Sequence, residues 1–140
     1  MPICFLTPWE AVRKMSVLHD EILAAIGAHG TWKSRLASAV ATGKSEFAAQ
    51  TVRMDNQCQF GKWLYSISDP AVKNSPYYRK CQELHREFHQ VAARILELAL
   101  EKKKDEATRA LEPNSEYAKL SGRLTISLME WSQTVPSKRG

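Results

Sequence analysis

The sequence predicts an all-α protein, four-helix-bundle-like with additional short helices. Three long stretches carry apolar residues at steps of three and four, helix caps and prolines punctuate the chain between them, and no stretch shows the strict alternation of a strand. At 140 residues the chain is long enough for one continuous hydrophobic core without disulfide staples. It shows no internal repeat and no low-complexity segment.

The first helix opens at Thr7-Pro8-Trp9-Glu10, a capping-box pattern with proline at the first helical position, and Gly43 is a natural stop. Along it Leu18, Ile22, Ala25, Ile26, His29, Trp32, Leu36 and Val40 share one face. The next stretch, SEFAAQTVRM, is too short for periodicity to separate a short helix from an extended connection. Asp55 or Asn56 then caps a short helix, CQFGKWLYS, which ends before the turn sequence SDP and places Cys58 in its first turn. Ser75-Pro76 caps a second long helix with the stripe Cys81, Leu84, His85, Phe88, Ala92, Ile95 and Ala99, reaching about the EKKKDE run. A short piece, DEATRALE, is broken by Pro113 and Asn114. Ser115 caps the last helix, with Tyr117, Leu120, Leu124, Leu128, Trp131 and Val135 inward and Pro136 as its stop. The expected division is 1–14 as an N-terminal extension or helix start, 15–136 as the helical domain and 137–140 as a basic tail; Met15 is an alternative start.

Composition excludes several functions. A hydrophobic fraction of 44% and a charged fraction of 25% are those of a soluble domain, and no run approaches the roughly 18 apolar residues of a membrane span. The opening MPICFLTPWEAVRK carries its basic residues after the apolar ones and lacks a small-residue cleavage site, so a cytoplasmic protein is expected. The net charge of +5 comes from basic residues scattered among 15 acidic ones and not interleaved with aromatics on one face, which argues against a nucleic-acid partner. Three cysteines, Cys4, Cys58 and Cys81, are an odd number without a framework spacing and are read as reduced thiols.

The chemistry concentrates in 84-LHREFH-89. Four residues turn a helix by about 400°, so the rings of His85 and His89 lie about 40° apart on one face and can share a metal ion. Spacing alone is weak evidence, and two imidazoles at the core's edge are the ordinary alternative. The arrangement is not that of a zinc protease, in which the glutamate directly follows the first histidine and leans over the metal as general base. Glu87 lies about 200° round from His85, and Glu83 about 140° from the pair's centre, so the helix offers ligands without a base. His29 interrupts an apolar stripe, where an imidazole needs a hydrogen-bond partner or a metal. Antiparallel packing of the first two long helices brings it level with the pair. His19 lies about 15 Å from His29 along the helix and is read as a surface residue.

One cysteine with three histidines suits zinc, and the thiolate can come from Cys58 or Cys81. Cys58, beside the unpaired N–H groups of its helix start, is the better placed, because the helix dipole favours a thiolate there. Gly61 permits that helix a close approach to its neighbour. Cys81 would demand three ligands from successive turns of one helix, a span of about 12 Å, and reads better as a small buried hydrophobe.

AHGTWKSRL around His29, NQCQFGKWL around Cys58, LHREFH and the closing SEYAKLSGRLTISLMEW together resemble the chemoreceptor zinc-binding (CZB) family, from about Ile22 to Val135. The most specific element is the C-x-F-G-x-W run from Cys58 to Trp63. The resemblance implies zinc held by His29, Cys58, His85 and His89, a homodimer, and signalling to a chemoreceptor or a diguanylate cyclase. Family members usually adjoin such a region, whereas this sequence ends just after the domain. A site filled by four side chains suits sensing rather than hydrolysis, so no enzymatic activity is expected. The resemblance also implies, for some members, a redox role in which hypochlorous acid attacks the metal-held thiolate, here Cys58.

Overall fold

The computed structural model describes the backbone of residues 8–135 and the side chains of Met15 and residues 17–135. Thr7, the side chains of Trp9 and Glu10, Cys4, Pro136 and the basic tail lie outside the described residues. Within them seven helices follow one another: α1 Pro8–Thr42, α2 Ala49–Arg53, α3 Gln59–Ser66, α4 Pro70–Lys73, α5 Pro76–Leu100, α6 Lys104–Ala110 and α7 Glu116–Thr134. No strand occurs among the described residues. None of these helices is long and apolar enough to cross a membrane.

The long helices α1, α5 and α7 pack pairwise against one another, while α2 lies on α5 and α3 on α1. A fourth long helix is replaced by these short pieces. Most of each predicted stripe is buried: Ile22, Ala25, Trp32, Leu36 and Val40 on α1, with Leu18 and Ile26 half-buried; Cys81, Leu84, Phe88, Ala92, Ile95 and Ala99 on α5; Tyr117, Leu120, Leu124, Leu128 and Trp131 on α7. The core falls into two clusters, one around Trp32, Phe88, Leu96 and Tyr117, the other around Ile22, Phe60, Leu64, Cys81, Leu124 and Trp131. Cys58 packs against both, so it sits where the two clusters meet.

The ends are capped as their sequences require. Gly43, at φ 70°, adopts the left-handed conformation that closes α1, and its N–H reaches the Ala39 carbonyl at 2.7 Å. Ser75 accepts from the Tyr77 N–H with Pro76 in the first turn of α5, and Ser115 accepts from the Ala118 N–H at the start of α7. Two local readings change. The turn expected at SDP is the start of α4, because the Asp69 side chain accepts from the Ala71 N–H at 3.0 Å and Pro70 presets the first turn. His19 is half-buried rather than a surface residue. Its Nδ1–H is shared between the carbonyls of Ser132 and Val135, 2.9 Å each, which ties α1 to the C-terminal end of α7, where carbonyls outnumber helical N–H donors.

Gly61 also does something other than expected. A side-chain carbon there would stand 1.8 Å from the Asp55 carbonyl oxygen and 3.2 Å from the Asn56 Cα. The close approach is therefore to the chain's own loop ahead of α3, not to a neighbouring helix. Replacing Gly61 with alanine is expected to push that loop and α3 apart, at a cost of about 1–3 kcal/mol typical of forced overpacking. Chemical denaturation checks this, with unchanged stability as the outcome that sinks it.

Candidate metal centre

Cys58 is itself the N-cap of α3: its Sγ accepts the Gly61 N–H at 3.2 Å, where Asp55 or Asn56 had been expected to cap. A sulfur in that position faces the first turn of the helix and, beyond it, α5. There Cys58 Sγ lies 3.3 Å from His85 Nε2 and 3.2 Å from His89 Nε2. The ligand atoms of Cys58, His85 and His89 all lie within 4.8 Å of one another.

The two histidines are oriented differently. His89 Nδ1–H donates to the Val52 carbonyl of α2 at 2.7 Å, which fixes the tautomer and leaves the Nε2 lone pair facing the sulfur. The Trp32 ring stands edge-on against His89 at 5.5 Å. His85 is held by stacking on Phe60, at 4.3 Å between ring centres and 23° between planes, and its buried Nδ1 has no hydrogen-bond partner. Both rings are 1% exposed, so the site is walled by aromatic surface and starved of water.

Burial sets the protonation states. It pushes the His85 ring down to about 2, with the neighbouring His89 and His29 rings adding to the effect. His89 is likewise lowered, mainly by burial. Both are neutral imidazoles at pH 7, as metal ligation requires. The Cys58 thiol is pushed up by burial, which outweighs the lowering by backbone N–H groups of Gly61 and Phe60. The helix-start effect expected to favour the thiolate is thus present and overruled by desolvation.

His29 is buried and level with the pair, its ring 4.4 Å from that of Phe88, which lies between His85 and His89 on α5. It is not within the 4.8 Å group. Its Nε2 is instead joined to Ser121 Oγ of α7 by a 2.9 Å hydrogen bond. Cys81 is fully buried in the second core cluster, with its thiol pushed up to about 12 by burial. Glu83 and Glu87 are exposed, as their rotation predicts.

The donor set fits zinc. Tetrahedral ligation with usual zinc–sulfur and zinc–nitrogen lengths places sulfur and nitrogen about 3.5 Å apart, close to the 3.2 and 3.3 Å found between Cys58 and the histidines. One soft sulfur and neutral imidazoles are the ligands zinc prefers. Comparison with known proteins agrees: residues 29–96 match the family model of the chemoreceptor zinc-binding domain. The chain carries a chemoreceptor zinc-binding domain. The matched span of this zinc-binding domain contains His29, Cys58, His85 and His89 and stops before α7, so it is narrower than the resemblance drawn from Ile22 to Val135. No curated protein and no solved structure matches the chain.

Three partners of the zinc-binding domain's site were not singled out from sequence. Phe60 lay in plain view inside the C-x-F-G-x-W run. Ser121, four residues after the inward Tyr117, is a polar residue beside an apolar stripe, which is a signal of a kind. The Val52 carbonyl carried none, because any residue offers the same backbone oxygen.

Proposed function

We propose that this chain is a zinc-responsive regulatory module rather than a catalyst. Cys58, His85 and His89 hold the ion, with His29 as the fourth ligand. The approach of Cys58 Sγ to both histidine Nε2 atoms, in a nearly dry aromatic enclosure, carries the reading. A bound zinc ion would supply a cross-link among α1, α3 and α5. For α3 such a cross-link matters, because the helix has eight residues and one capping sulfur to anchor its start. How tightly α3 packs is therefore the quantity a partner reads. The partner is a second copy, a chemoreceptor or a diguanylate cyclase, as family resemblance suggests, in the cytoplasm. Against catalysis stands the lack of a poised base among the described residues: Glu83 and Glu87 are exposed, and Asp55, whose charge reaches Cys58 and His89, accepts a hydrogen bond from the Tyr65 hydroxyl at 2.7 Å.

A second reading rests on a separate observation. Cys58 is half-buried and borders a surface cavity of about 180 Å³ together with Trp32, Phe47, Met54 and His89, whereas the three histidines are buried. The sulfur is the exposed corner of the site. A two-electron oxidant such as hypochlorous acid would transfer its oxygen to the thiolate, giving a sulfenic acid and chloride and weakening the sulfur as a ligand.

Hydrogen exchange of α3 tests both. Loading with stoichiometric zinc is expected to slow exchange at the α3 amides, and chelator to restore it. Absence of zinc binding, or binding without a change in α3, sinks the regulatory reading. Oxidant that loosens α3 at doses where Cys58→Ser is unaffected assigns the signal to redox chemistry.

A further inference from the structure

The hydrogen bond between His29 Nε2 and Ser121 Oγ crosses from α1 to α7, over 92 residues of sequence. It therefore joins the matched zinc-binding span to a helix outside it. His29 lies level with the ligand pair, its ring edge-on to Phe88 at 4.4 Å, yet it stays outside the group formed by Cys58, His85 and His89. Those two histidines each turn Nε2, the ring atom of longest reach, toward the sulfur. His29 has the same atom committed to Ser121.

A ring nitrogen has one in-plane position, filled by a proton or a lone pair, so the same nitrogen cannot ligate a metal and keep a hydrogen bond to a hydroxyl. From these contacts we infer that Ser121 is a positioning residue that competes with the metal for His29 Nε2. With the Ser121 bond made, the site has three ligands and α1 is latched to α7. Recruiting His29 breaks the latch and completes the set of four. The inference rests on the zinc-binding reading and adds to it a route by which occupancy reaches α7. The two phenylalanine rings against His29, Phe60 at 6.5 Å and Phe88 at 4.4 Å, present ring carbons and offer no substitute partner. A freed His29 Nε2, buried among them, gains most by turning to the metal.

A double-mutant cycle tests the latch, with zinc affinity measured by chelator competition on wild type, Ser121→Ala, His29→Ala and the double variant. Ser121→Ala is expected to tighten zinc binding by about threefold to tenfold, the bias one ordinary hydrogen bond places on an equilibrium. In the His29→Ala background the same substitution is expected to do nothing, which a merely structural role of Ser121 would not produce. Ser121→Thr, which keeps the hydroxyl, is expected to retain wild-type affinity. In wild type the His29 Nε2 nitrogen resonance is expected to shift on loading. Unchanged or weaker binding by Ser121→Ala overturns the latch, the weaker outcome meaning that Ser121 orients His29 for ligation through Nδ1. Zinc binding indifferent to His29→Ala also overturns it but leaves a three-ligand site standing. Wild type that binds no zinc overturns the metal reading itself.

Discussion

Replacing Cys58 with alanine is expected to weaken zinc binding by about a hundredfold or more, since losing even an outer partner of a ligand typically costs tenfold to a hundredfold. The same substitution is expected to abolish proton release. In the wild-type apoprotein, burial holds the Cys58 thiol in its protonated form at neutral pH, while burial keeps His29, His85 and His89 neutral. Zinc ligation then displaces about one proton, and that proton comes from sulfur. Affinity accordingly rises about tenfold per pH unit near neutrality and falls in acid. His89→Ala is expected to weaken binding comparably but to keep the proton, which separates the roles of the two ligands. Chelator competition at several pH values, with calorimetry in buffers of different ionisation enthalpy, checks both. A wild-type protein that binds zinc with no proton release would mean that the thiol is already ionised, or is no ligand.

The pair His85 and His89 was legible because helical rotation is a property of sequence spacing alone, and α5 is regular through both residues. The long helices were legible for the same reason: their buried stripes repeat at the helical period over many turns. Cys58 was legible as a residue of the first turn of α3. Its role as the cap was not, because an asparagine two residues earlier is the commoner cap and a sulfur's hydrogen bond to Gly61 depends on the loop that Gly61 admits. The balance at its thiol could not be read either, since burial by two converging core clusters has no local signature. His29 could be set level with the pair by matching helix midpoints. Which way its ring turns is decided by Ser121, a contact with α7 that no local pattern encodes. His19 failed similarly, its carbonyl partners lying more than a hundred residues away.

Lowering the pH is expected to unfold the zinc-free protein in mild acid. Unfolded imidazoles take up protons below about pH 6.5. In the folded chain burial, helped by the neighbouring His89, lowers His29 to about 4, and burial lowers His85 to about 2. Between these limits the unfolded chain binds more protons than the folded one, so each drop in pH favours unfolding. The two residues are buried to 4% and 1% exposure, so solvent screens the effect little. Two protons correspond to roughly 3 kcal/mol lost per pH unit from about pH 6 down to about 4, and below that His85 continues alone. His89, also lowered, acts in the same direction. A loss of about 5 kcal/mol by pH 4.5 is comparable to the whole stability of a small domain. Denaturant midpoints of chelator-treated protein at about pH 7.5, 6 and 5 measure the slope. His85→Gln is expected to flatten it by one proton, because an amide in that pocket does not titrate. A midpoint constant across that range would show that these rings are solvated in the metal-free state, and the dry enclosure argued for the site would then fail.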